Sequence, residues 1–173
     1  MVVADHRFRY NTRMPDDLYE RDILSWSEHQ ADLLRRVARG ERVNGVDWEH
    51  VVEEIEDLGL SQLNAVENYL RLVMLHLLKI QGWPDCQAIE HWRTEIVNSQ
   101  DEAEQRYVPS MRQRIDLDRA YRRARRNAMQ TNVDGRPPLP LPDTCPFSLD
   151  QLLNALRPEL EAILAAASSG HQP

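Results

Sequence analysis

The stretch SQLNAVENYLRLVMLHLLKIQG, residues 61–82, decides the fold. From Tyr69 to Ile80 it is apolar around most of a helical circumference, interrupted only by Arg71, His76 and Lys79. A helix of that kind is buried, either as the centre of a core or in a subunit interface. It falls short of the roughly 18 uninterrupted apolar residues that a membrane span needs. Gly82, Trp83 and Pro84 close it. Residues 61–81 therefore predict the central helix of a globular core.

Helical spacing extends on both sides. Leu18, Ile23, Trp26, Leu33, Leu34 and Val37 share a face behind a cap at Asp16 or Asp17, and Gly40 ends that helix. Asp47 is an N-cap candidate for the next, whose inward stripe is Val51, Val52, Ile55 and Leu58. Gly59 either ends that helix or is a soft point inside a longer one, and Ser61 can restart it. Residues 87–106 form another helix, with Ile89, Trp92 and Ile96 inward and Pro109 as its breaker. Ser110 caps an Arg-rich helix that buries Met111, Ile115, Tyr121, Ala124 and Ala128. Residues 131–146 carry Asp134-Gly135 and prolines 137, 138, 140, 142 and 146, an extended linker. Ser148 caps a last helix with Leu149, Leu152, Leu153 and Leu156, and Pro158 permits a fresh turn before Leu160, Ile163 and Leu164.

No run of alternating β-branched residues occurs. The fold class is all-α: an antiparallel bundle of five to six helices with a Pro-rich linker before the last one. A chain of 173 residues is one domain. The reading gives a flexible tail over 1–15, the bundle over 16–167 and a frayed end over 168–173.

Acidic residues number 28 against 21 Lys and Arg, a net charge of −7. With 42% apolar and 28% charged residues, disordered, collagen-like and disulfide-stapled classes are excluded. The first residues hold Arg7, Arg9 and Arg13 but no apolar segment of the secretory kind. Cys86 and Cys145 lack C-x-x-C spacing and read as reduced thiols, which places the protein in the cytoplasm. Between residues 47 and 67 there are seven acids and no Lys or Arg, while residues 106–126 hold eight Arg against Asp116 and Asp118. These read as solvated helix faces that attract one another. An Arg-mediated nucleic-acid contact is disfavoured by the net negative charge.

There is no phosphate loop, G-x-G-x-x-G, H-E-x-x-H or G-x-S-x-G. What remains is a set of polar residues on apolar faces. Asp22 lies one turn before Trp26, with Gln30 one turn further on; Glu54 is at the boundary of its helix's apolar stripe; His76 falls within the apolar half of its own. Asp22, Trp26, Glu54 and His76 are the candidate buried polar cluster. Its first reading is a structural network that fixes helix register. The alternatives are a carboxylate–imidazole metal site or a proton-transfer pair. The E-x-x-H pair of di-iron bundles is missing. Glu53, Glu54, Glu56, Asp57 and Glu67 allow a Mg²⁺–nucleotide site only with a second acidic pair on a facing helix. No catalytic residue, metal ligand or cofactor is assigned.

Several blocks then stand in a specific order: Tyr19-x-x-Asp22-x-x-x-Trp26-x-x-x-Gln30, Glu53-Glu54-Ile55-Glu56-Asp57-Leu58-Gly59, His76-Leu77-Leu78-Lys79, and Cys145-Pro146-Phe147-Ser148-Leu149. Over about residues 17–157 this resembles the bacterial domain-of-unknown-function family 29. The resemblance implies a small all-helical protein and carries no activity, substrate or cofactor. Asp22, Trp26, Glu53, Glu54, Glu56 and His76 occupy its motif positions. Leu60 and Ile80 depart from the pattern, and Leu160 to Ala167 extend beyond it.

The expected function is a cytoplasmic, non-enzymatic interaction module. It is expected to be a homo-oligomer through the apolar helix 61–81 or the C-terminal helix, with an unknown protein partner and no membrane partner. Nucleic acid is disfavoured, and contact through the Arg-rich helix is kept as a third reading. A metal-dependent enzyme, or a metal or nucleotide binder, using Asp22, Glu54 and His76 is the alternative.

Overall fold

The computed structural model describes residues 18–169. The tail expected over 1–15, the caps at Asp16 and Asp17, and residues 170–173 lie outside them. The fold is all-α. Its helices are α1 (Leu18–Arg21), α2 (Ile23–Ala38), α3 (Trp48–Gly82), α4 (Ile89–Arg106), α5 (Leu117–Met129), α6 (Leu149–Asn154) and α7 (Arg157–Ser169), with a 3-10 turn at Pro109–Met111. The two helices read on either side of Gly59 are one helix of 35 residues. Among the described residues the sole β feature is an isolated bridge, Val133 to Arg136. The chain divides into two compact units, the first ending at Leu58 and the second beginning at Gly59.

In the first unit the expected single helix is broken at Asp22, whose φ of −153° leaves helical space. Its carboxylate turns back to accept from Ser25 N at 3.0 Å and Ser25 Oγ at 2.7 Å, capping α2. Trp26, Gln30 and Leu33 form the buried stripe of α2. Gly40, at φ +80°, turns the chain out of the helix in a conformation that a side chain would strain. Asp47 opens α3: its carboxylate receives His50 N at 3.4 Å and its carbonyl receives Val51 N at 3.0 Å.

One expectation fails here. Val51 is buried, but Val52, Ile55 and Leu58 are exposed. Amphipathic spacing says that a face is suited to burial; it does not supply an element to cover it.

In the second unit α3 is the central element. Val66, Leu70, Val73, Met74, Leu77 and Leu78 are wholly or almost wholly buried. Ile96 and Ala103 of α4, Tyr121 and Ala124 of α5, Leu152 of α6 and Leu160 and Leu164 of α7 complete one core around them. α4 packs on both α6 and α7. Gln100 Nε2 reaches Leu152 O at 3.1 Å and Ala155 O at 2.9 Å, satisfying carbonyls that the end of α6 leaves unpaired. Ser148 caps α6 in a capping box with Gln151.

The proline-bearing segment before α6 is fastened along its length. Asp134 and Gly135, at φ +51° and +73°, make a tight turn closed by Arg136 N to Val133 O at 2.9 Å. Trp83 Nε1 donates to Arg136 O at 2.9 Å, and Leu139 N to Gly82 O at 2.9 Å. Tyr121 Oη donates to Pro142 O at 2.8 Å in the interior. Pro138 lies so close to Gly82 that a Cβ there would stand 2.9 Å from the proline Cβ. Leu141 and Phe147 from this segment join the core.

Candidate functional site

A polar cluster set among aromatic rings lies in the first unit. Tyr19 comes from α1, Trp26 and Gln30 from α2, and Asp47, His50 and Glu54 from the start of α3 and the residue before it. Asp47 is the hub. Its Oδ2 lies 2.7 Å from His50 Nδ1 and accepts from Trp26 Nε1 at 3.2 Å. Its backbone N–H donates to Gln30 Oε1 at 2.9 Å, which fixes where the loop enters α3. Tyr19 stacks on the His50 imidazole, ring centres 3.9 Å apart, and meets Trp26 edge-on at 4.9 Å. Tyr19 Oη donates to Glu54 Oε1 at 2.6 Å.

The electrostatics follow from these bonds. Burial works to raise the Asp47 pKa, but the bonds from His50 and Trp26 outweigh it and hold the carboxyl below its usual range. The bond to Asp47 raises His50. The bond to Glu54, then partial burial and the nearby acids, push Tyr19 up to about 12, so its hydroxyl stays a donor at neutral pH. Gln30 Nε2 is buried without a partner.

Of the four residues expected to share a cluster, Trp26 and Glu54 do so, joined through Tyr19. Asp22 does not point inward: the helical wheel assumed a helix running through it, whereas the chain breaks there and the carboxylate caps the next helix. His76 lies in the second unit, partly buried, with Nδ1 unpartnered and Lys79, Glu95, His91 and Arg71 as its charged neighbours. Burial, with Lys79 adding to it, lowers its pKa to about 4. The reading therefore missed Tyr19, Asp47 and His50 as members. The available signal was the seven-residue spacing of Tyr19 and Trp26 and the Asp47-x-x-His50 pair across a first helical turn.

Asp47 and His50 resemble an acid–base pair in geometry. No hydroxyl or thiol nucleophile is bonded to His50 among the described residues, and no group of three His, Cys, Asp or Glu there is placed to hold a metal ion. The cluster instead clips α1, α2 and the loop before α3 to the first turns of α3.

Another aspect of the same helix start is apolar and exposed. Trp48, Val52, Ile55 and Leu58 are 51–65% exposed. At 100° per residue Trp48, Val52 and Ile55 lie within one stripe with Leu58 at its edge, and Glu49 and Glu56 border the other side.

The fold defines an all-α protein. The chain belongs to the family described as Domain of unknown function DUF29, whose model matches residues 18–156. α7, beginning at Arg157, falls beyond the matched span. A solved α-helical protein of unknown function from Rhodospirillum rubrum is similar: 29% identical, covering 86% of this chain and 96% of its own, with a TM-score of 0.58. No curated protein matches the chain. No helix among the described residues is long and apolar enough to cross a membrane.

Proposed function

We propose that this chain is a non-enzymatic interaction module whose docking face is the first three turns of α3, and that the face takes an apolar helix with basic flanks from a partner protein. The observation that carries this reading is the stripe Trp48, Val52, Ile55 and Leu58, left more than half exposed. Scattered exposed leucines are ordinary, but four large apolar side chains on one helix face are a patch of the kind that marks interaction surfaces. Full burial of such a side chain contributes roughly 1.5–3 kcal/mol, so four of them offset much of the cost of association.

Charge argues for the nature of the partner. Glu49, Glu53, Glu56 and Asp57 share this segment and no Lys or Arg occurs from residue 47 to 67. Two copies of the face laid antiparallel would set Glu49 and Glu56 of one beside their equivalents in the other, which is unfavourable. A helix with Arg or Lys beside its apolar stripe would meet those acids favourably. The apolar part of α3 and the helix α7 place Leu70, Leu77, Leu78, Leu160 and Leu164 in their own core, whereas the α3 start keeps its apolar stripe exposed.

The test is a titration of the full chain with two synthetic amphipathic helices, one Leu/Arg and one Leu/Glu. The expected result is saturable binding of the Leu/Arg helix alone, weakened at least tenfold by I55D. Equal binding of both helices, or binding unaffected by I55D, overturns the reading. Light scattering showing a dimer that I55D dissolves replaces the foreign partner with a second copy.

A further inference from the structure

In the second unit, between α3 and α5, a solvent-open cleft of about 170 Å³ is lined by Asn64, Glu67, Asn68, Arg71, Arg119 and Arg123, with Ala120 also on its wall. Three guanidinium groups and one carboxylate there give a local excess of positive charge, in a chain that carries −7 overall.

The carboxylate is already committed. Glu67 accepts from Arg119 Nη2 at 2.8 Å and from Asp116 N at 3.1 Å. Arg71 is partly buried, and its Nε and Nη2 both donate to Asn68 Oδ1, at 3.3 and 2.9 Å. That bond orients the guanidinium without neutralising it. Among the described residues no carboxylate pairs with Arg71 or Arg123. Burial, and then the charge of Arg123, depress the Arg71 pKa, as expected for two like charges that share a site with no counter-ion.

We propose that this cleft binds the phosphate group of a small ligand, gripped between the guanidinium groups of Arg71 and Arg123 with the amides of Asn64 and Asn68 beside it. Guanidinium forks match phosphate oxygens in bidentate geometry, which a lone ammonium cannot reproduce. A phosphate ester carries about −1.5 to −2 charges at neutral pH, enough to balance both arginines. The two carboxamides add neutral donors that hold oxygens without adding charge. The net charge of −7 disfavours a nucleic-acid polyanion, whereas a single phosphate is small enough for a cleft of about 170 Å³.

The same helix supplies an internal control. Arg122 lines a different cavity, together with Arg125, Arg126 and Asp143. Removing its charge changes the net charge by the same amount as removing Arg123.

The test follows the melting temperature of the full chain and the side-chain Nε–H signals of its arginines as inorganic phosphate is added, against sodium chloride at matched ionic strength. The expected result is a saturable rise in melting temperature with phosphate beyond that with chloride, with shifts at Arg71 and Arg123. R71Q and R123Q should each weaken binding at least tenfold, while R122Q changes it less than twofold. R71K, which keeps the charge and loses the fork, should also weaken it. Circular dichroism checks that each variant is folded. A nucleoside monophosphate run in parallel distinguishes sources: tighter binding than phosphate assigns the cleft to a phosphomonoester, equal binding to the free anion. If chloride matches phosphate, or R122Q is as damaging as R123Q, the effect is general screening and the proposal is overturned. None of these variants touches the α3 docking face, so the two readings stand or fall separately.

Discussion

His50 Nδ1 stands 2.7 Å from Asp47 Oδ2, three residues before it, with the ring of Tyr19 stacked over the imidazole. That pair ties the helix start to the loop that feeds it, and it titrates at both ends. The His50 pKa is raised above 6.5, so its contribution to stability is fully present below about pH 6.5 and is lost as pH rises through the raised value. The Asp47 pKa is held below 3.8, so its contribution is present above that pH and lost as pH falls through the lowered value. The pair stabilises most between about pH 4 and 6.5. An NMR titration should place the His50 ring above 6.5 in the native chain and return it toward 6.5 in D47N.

Asp47 also accepts the indole N–H of the buried Trp26. D47A removes a helix cap and leaves that donor without its acceptor. The expected cost is about 1–2 kcal/mol by urea denaturation. A midpoint unchanged from the native protein would show the hub to be dispensable.

His76 behaves in the opposite sense. Its pKa falls from 6.5 to about 4 on folding, so the unfolded chain binds a proton there that the folded chain does not. Stability linked to His76 is therefore complete above about pH 6.5 and is lost as pH falls toward 4. Because its Nδ1 is buried without a partner, H76L removes a cost and no bond. The variant should equal or exceed the native chain in stability at pH 7, and should lose less than the native chain between pH 7 and 4.5. A loss of more than 1 kcal/mol at pH 7 would reveal a bond that the histidine makes.

Two glycines of α3 should respond in opposite directions to alanine. At Gly59 a Cβ meets nothing within 4 Å, so G59A should stabilise the helix by about 0.5–1 kcal/mol through propensity alone. At Gly82 the same methyl would meet Pro138 at 2.9 Å. G82A should cost about 1–3 kcal/mol, as overpacking does. Thermal melts of the two variants separate them at once.

Tyr121 donates to Pro142 O from a site where water is excluded. Y121F should cost about 1–2 kcal/mol, because the carbonyl is left unsatisfied. It should also speed proteolysis within residues 131–146 relative to the native chain.

The all-α class was legible because the residues from Tyr69 to Ile80 are apolar around most of the helix, and α3 does sit at the centre of its core. The cap at Ser148 was readable, a local device that needs no tertiary partner, whereas Ser110, expected to cap the Arg-rich helix, lies in the 3-10 turn and Asp116 caps α5 instead. Asp22 was misread because a wheel presumes an unbroken helix, and the bond to Ser25 that breaks it competes on equal local terms. Val52, Ile55 and Leu58 were misread for a different reason: periodicity reports a face and is silent about what covers it. The Tyr19–His50–Asp47 arrangement brings residues about 30 positions apart into one stack, and nothing local in the chain encodes that meeting.

The turn at Asp134-Gly135 has a consequence for how the second unit could be divided. Both residues are exposed, while the chain just beyond them is held by Gly82, Tyr121 and Arg125 and continues into the buried leucines of α6 and α7. Exposed turn tips of small polar residues are where nicks are tolerated. A single cut there leaves each fragment carrying half of a shared interior, so separately made halves should recognise one another and reassemble, making this bond the natural place to split the protein into a complementing pair.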